Sequence, residues 1–180
     1  MTVIELAAGV VARPFHADDA AAVFAAVDAE RSRLNRWMPW VWVSTTLDDS
    51  RRFVEDAERS LTEGTAVHWG LFAGDRVVGA VGAGFDMLNR VSEVGYWIAA
   101  DHEGRGLVTS AMRHLVADLF ERGLHRLVIH AAVGNERSIA VAERLGFTYE
   151  GTEREALRMG AQVHDSVVYG LLRGEWDGGG

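Results

Sequence analysis

Residues 91–133 constrain the fold of this chain more than any other stretch. An apolar run, Val91–Ile98, leads into a polar, glycine-bearing loop, Ala99–Gly106. A helical pattern follows from Leu107 to about Arg122, and then a second apolar run, Leu127–Val133. Within the helical stretch Val108, Met112, Leu115 and Leu119 recur at spacings of 4, 3 and 4, which places them on one buried face. Gly123 ends it. Leu127–Val133 is mostly apolar, as expected for a strand in a covered central position. Strand, helix and strand in this order make a βαβ crossover, whose two strands run parallel.

The flanking sequence reads as antiparallel. Ala66–Ala73, Arg76–Phe85 and Val91–Ile98 are strand-like runs separated by the turn signals Gly74-Asp75 and Asn89-Arg90, giving a three-strand meander. Upstream, Val10-Val11-Ala12 is a first strand closed by Pro14. Asp18 or Asp19 can cap a helix from Ala20 to about Arg33, with Ala21, Phe24, Ala25 and Val27 at helical spacing. Leu34–Val43 is an aromatic loop holding Pro39. Ser44-Thr45-Thr46 offers caps for a second helix, about Leu47–Glu63, with Phe53, Val54, Ala57 and Leu61 as its apolar stripe. Downstream, Glu136–Leu145 is a short helix stopped by Gly146, and Phe147–Glu150 with Val163–Leu172 forms a closing hairpin around Gly160. The order β-α-α-β-β-β-α-β-α-β-β predicts an α+β fold. Its sheet is mixed, mostly antiparallel and twisted, with a central βαβ crossover and about four helices. Residues 1–177 read as a single domain and 178–180 as a short Gly tail.

Composition removes several function classes. With no Cys, disulfides, thiolate metal sites and a Cys nucleophile are excluded. A formal charge of -8 opposes duplex nucleic-acid binding. No apolar run reaches the ~18 residues of a membrane span, and the N-terminus carries Glu5 and lacks a basic start, so no signal peptide is expected. The expected location is cytoplasmic. The seven His show no metal spacing and no HExxH, so no metal is expected.

The chemistry concentrates in Glu103–Thr109, EGRGLVT, between a strand and a helix. Glycines there let backbone N–H groups converge on an anion, and the helix N-terminus adds partial positive charge. A phosphate or pyrophosphate suits it, although an ordinary strand-to-helix turn would use the same residues. One strand later come Asn135-Glu136-Arg137-Ser138, a short helix and Leu145-Gly146-Phe147. With Ala12-Arg13-Pro14-Phe15, Leu34–Trp40 (LNRWMPW) and Glu93–Ile98 (EVGYWI), this ordered set resembles the GNAT superfamily of acyl-CoA-dependent N-acyltransferases. It is most similar to the RimJ/RimL-like branch, which modifies protein N-termini. The resemblance covers about residues 10–176.

It implies that acetyl-CoA is the co-substrate, held by Tyr96, Trp97, Ile98, the loop Glu103, Gly104, Arg105, Gly106, Leu107, Val108, Thr109, and by Asn135 and Ser138. It further implies direct attack of a primary amine on the thioester, with an oxyanion donor among backbone amides near Tyr96-Trp97. The acceptor is a protein N-terminal amine or a small-molecule amine, and the donor could also be another acyl-CoA such as succinyl-CoA. Glu93 is the leading base, directly or through water, and Ser138 the donor to the leaving thiolate. The plainer readings are a solvated residue after a turn and a helix cap. Trp37, Trp40 and Trp42 either pack on the sheet or border the acceptor. Arg105, Arg137 and Arg144 are candidates for phosphate contacts. Departures exist: Glu103 stands in the usual Gln/Arg place, so it must point outward or pair with Arg105 or His102. Val108 replaces Gly/Ala, and Ala142 stands where many members carry a Tyr acid. These departures motivate the rival reading, a non-catalytic acyl-CoA-binding module. The exposed Trp loop or the final hairpin could support a homodimer.

Overall fold

The computed structural model describes residues 3–178. Its elements are β1 Ile4–Glu5, β2 Val10–Pro14, α1 Ala20–Leu34, α2 Leu47–Glu63, β3 Ala66–Ala73, β4 Arg76–Asp86 and β5 Val91–Ile98. They continue with α3 Leu107–Glu121, β6 Arg126–Ala132, α4 Glu136–Arg144, β7 Thr148–Met159 and β8 Gln162–Leu172. All eight strands form one sheet in the order β1-β2-β3-β4-β5-β6-β8-β7. Every pairing is antiparallel except β5 with β6, the two strands joined through α3. The expected crossover and meander are therefore present. Of the Gly tail, Gly179 and Gly180 lie outside the described residues.

Helices cover both faces. On one, α3 packs its buried stripe: Met112, Leu115 and Leu119 are fully buried, and they join Leu127 and Ile129 of β6 in the larger core. On the other, α1 and α2 pack with Phe15, Phe72 and Val77 into a second, smaller core. The α2 start is a reciprocal cap. Thr46 Oγ1 accepts from Asp49 N (3.2 Å), while Asp49 Oδ2 accepts from Thr46 N (2.9 Å). Gly64, at φ 70°, closes the helix.

Three expectations need correction. The buried line of α1 is Ala20, Val23, Val27 and Leu34, not the Ala21/Phe24/Ala25 face; an alanine-rich helix has little contrast between its sides. Asp19 does not cap α1 through its side chain; it holds Arg13 in a bidentate pair at 2.7 and 2.8 Å. Finally, the sheet has eight strands, not seven. β1 is a two-residue addition, and β7 runs to Met159 well beyond Glu150. β7 is almost wholly exposed, with charged residues on both faces, so it lacks the alternation that marks a half-buried strand.

Candidate active site

The site forms where the sheet comes apart. β5 pairs with β4 along all of Val91–Ile98, yet it pairs with β6 only at Val91, Ser92 and Glu93. Beyond Glu93 the two parallel strands splay. Successive residues of a strand turn their N–H and C=O to opposite edges. Ala99 N donates to Val78 O on the β4 side (2.7 Å), and Arg90 O accepts from His125 N on the β6 side (2.9 Å). Odd residues of β5 therefore serve β4, and the backbone groups of Tyr96 and Ile98 face the open split. Arg33 takes the Ile98 carbonyl.

A cavity of about 880 Å³ opens beside this split. Tyr96, Trp97, Asn135, Ser138, Glu93 and His130 line it, and so do Trp37 and Trp40. Trp42 is not among the lining residues. Its Nε1 donates to Asn35 O (3.0 Å), and its ring covers Gly160, where an added Cβ would sit 2.8 Å away. It staples the aromatic loop to the β7–β8 turn.

On the α3/α4 side, Tyr96 Oη donates to the Ser138 carbonyl (2.9 Å) and lies 2.9 Å from Ser138 Oγ, which can donate to it. Burial pushes the Tyr96 phenol up to about 12, so it stays protonated. Ser138 is not the cap of α4. Asn135 is, accepting from Ser138 N at 3.3 Å.

On the α1/α2 side, Glu93 Oε1 lies 3.3 Å from His130 Nδ1, and Glu153 Oε2 lies 3.6 Å from His130 Nε2. The hydrogen bond to His130 lowers Glu93 below the ordinary carboxylate value, although partial burial opposes it. The same bond raises His130, again against burial, with the charges of Glu93 and Glu153 adding to the rise. A lowered carboxyl is a weak direct base; the imidazole, raised from 6.5, is the stronger base of the two. His130 is thus a functional candidate that sequence reasoning missed; there it is one of seven His without metal spacing. The missing signal was register: only the three-residue β5–β6 ladder puts His130 beside Glu93.

The α3 start has the features an anion needs. Gly104 and Gly106 take φ 73° and 72°, and a Cβ at either would meet nothing within 4 Å. Gly106 caps α3 without a side chain, and no acidic residue occupies the first turn. Leu107 and Val108 bury their side chains, leaving backbone N–H groups as what they can offer. Thr109 Oγ1 accepts from Arg144 (3.3 Å) and Arg105 donates to Asp101 O (2.8 Å). Glu103 pairs with neither Arg105 nor His102. It bridges Arg33 of α1 (2.7 Å) and Arg137 of α4, which offset its negative charge. This geometry fits a pyrophosphate at the helix N-terminus. Among the described residues no cluster of His, Asp and Glu could hold a metal.

The chain is similar to known proteins. A model of the GNAT acetyltransferase domain matches residues 10–148. YdaF of Bacillus subtilis strain 168, provisionally named a ribosomal N-acetyltransferase, is 38% identical over 151 residues, 82% of each chain. The ribosomal-protein-serine acetyltransferase of Escherichia coli K12 is 28% identical over 77% of this chain and 79% of its own. Among solved structures, RimL, the ribosomal L7/L12 alpha-N-protein acetyltransferase in complex with coenzyme A, superposes with a TM-score of 0.88 at 23% identity. That match covers 95% of this chain and 98% of RimL. With its split sheet, its open helix N-terminus and a family match across most of its length, the chain belongs to the GNAT acetyltransferases.

Proposed function

We propose that this protein transfers an acetyl group from acetyl-CoA to a primary amine, with a protein N-terminal α-amine as the favoured acceptor. The observation that carries this reading is the parting of β5 from β6 after Glu93, which turns unpaired strand edge toward an anion-binding helix start on one side and an acceptor cavity on the other. The names of YdaF and the E. coli serine acetyltransferase, and the coenzyme A complex of RimL, support donor and acceptor class alike.

Acetyl-CoA supplies an activated acetyl thioester. The residues of this chain do the rest. The amides opening α3, with Arg105, hold phosphate oxygens. The Tyr96 N–H, turned into the split, is available to a carbonyl oxygen that gains charge as acyl transfer proceeds. The Asn135 amide is placed for a polar arm along β5, its oxygen being committed to the α4 cap. Glu93 and Glu153 draw the acceptor's ammonium toward His130, and its proton leaves through His130 or a water held there. Ser138 Oγ turns its hydrogen from Tyr96 Oη to the departing sulfur, while Tyr96, donating to the Ser138 carbonyl, holds the serine in place. Without Cys no Cys-linked acyl-enzyme can form; the family resemblance implies direct attack of the amine on the thioester.

Residues 1–177 act as one unit. Among the described residues no helix is long and apolar enough to cross a membrane, and we place the reaction in the cytoplasm. The proposed assembly is a homodimer, supported by exposed Trp42 and Val43 (48% and 78%) beside the β7–β8 hairpin; a single species of monomer mass in ultracentrifugation would remove it.

Calorimetry with acetyl-CoA, followed by a thiol-release assay with amine-terminated peptides, tests the reading. Ser138→Ala should lower kcat roughly 10²-fold or more while keeping most donor affinity. An unchanged kcat removes Ser138 from the catalytic set, and no donor binding at millimolar concentration refutes the reading as a whole.

A further inference from the structure

Resting on that reading, the geometry points to one acceptor class: an α-amine carried on a bulky apolar first residue, whose side chain lies in a glycine-floored trough beside Glu93. Cross-strand partners share a face of the sheet. Gly84 stands opposite Glu93, Gly82 opposite Gly95, and His68 opposite Gly82, so all five lie on the α1/α2 face. A Cβ at Gly84 or Gly95 would meet nothing within 4 Å, whereas at Gly82 its place is taken by the His68 ring, with Nδ1 2.3 Å away. The floor is therefore bare over Gly84 and Gly95, between Glu93 and the His68 ring that lies on Gly82 of β4, about 5 Å across one strand spacing.

The far end of the trough is aromatic. Phe53 meets His68 edge-on with ring centroids 5.6 Å apart, and Phe15 closes behind it at 5.5 Å. Trp37 and Trp40 line the same cavity. Burial lowers the His68 pKa, so its ring is neutral. Asp49, on the α2 side, is committed to Thr45, Thr46 and Arg52. The floor strands have their backbone groups in the β3–β4–β5 ladders. A peptide chain led over this floor would find no free backbone partner there for its own N–H and C=O groups. A Leu, Met or Phe side chain brings no such groups and gains from burial. The polypeptide must then leave by the open side, with only its first side chain inside.

Acetylation of peptides that are identical beyond a first residue of Gly, Ser, Leu or Phe tests this. With acetyl-CoA as donor, kcat/KM for the Leu and Phe peptides should exceed that for Gly and Ser by roughly 10–100-fold. Gly84→Val fills the open space without a clash, and valine suits a strand. It should collapse that preference to near unity, with donor affinity by calorimetry reporting that the protein is folded. Equal or better turnover of the Gly and Ser peptides overturns this inference alone, as does a preference that survives Gly84→Val. No turnover on any peptide overturns both this inference and peptide acetylation itself.

Discussion

His130 shows what a single residue gains from its place in the ladder. Its two ring nitrogens face Glu93 from β5 and Glu153 from β7. Glu93 lies below its ordinary 4.5 and His130 above its ordinary 6.5, each chiefly through their shared hydrogen bond. The stability owed to Glu93 is present above 4.5 and lost as pH falls through its lowered folded value. The stability owed to His130 is full below 6.5 and lost as pH rises through its raised folded value. Their window of fullest support is therefore about 4.5 to 6.5. Glu93→Gln should move the His130 titration down toward 6.5, read from its imidazole proton shifts by NMR. An unmoved titration would show the two groups to be uncoupled. None of this was legible in the sequence, where His130 sits in an apolar run and Glu93 follows a turn 37 positions earlier. Ser138 and Tyr96 were both picked out, but their hydrogen bond spans 42 residues and needed the fold.

Elements with strong local signals were readable, and those whose signal is tertiary were not. The stripe Val108, Met112, Leu115, Leu119 predicted the buried face of α3 correctly, because a long apolar period admits one orientation. α1 was placed but its buried face was misread, since alanine favours helix on every side equally. β7 was cut short because an edge strand needs only one partner and no buried face. The start of α3 was legible as a glycine turn, and its geometry now separates a plain turn from an anion site. Gly106 needs its φ of 72°. Gly106→Ala should therefore destabilise the protein by about 1–2 kcal/mol in denaturant unfolding. It should also weaken acetyl-CoA binding measured by calorimetry, because the strained cap reorients the amides that follow. Loss of stability with undiminished donor affinity would mean that those amides do not hold the phosphates.

At the scale of the whole molecule, a net charge of -8 gives no general attraction for an anionic donor. Recognition must be local, and the fold makes it so by dividing the sheet. β1–β5 and β6–β8–β7 meet through three residue pairs only, while each half is held by antiparallel ladders of its own. A sheet divided in this way exposes polar edge inside a protein, which is unfavourable unless water or a ligand completes it. That demand ties the architecture to donor binding, and it is visible one amide at a time. In the unliganded protein the N–H groups of Tyr96 and Ile98 should exchange with deuterium faster than those of Gly95 and Trp97, which donate toward β4. The contrast should be roughly tenfold or more, because an exchange-competent amide needs no opening of the ladder. Saturation with acetyl-CoA should slow Tyr96 and Ile98 selectively and leave their neighbours almost unchanged. Uniform protection along Val94–Ile98 in the free protein would mean that the split is closed in solution, and the donor would then need another way in.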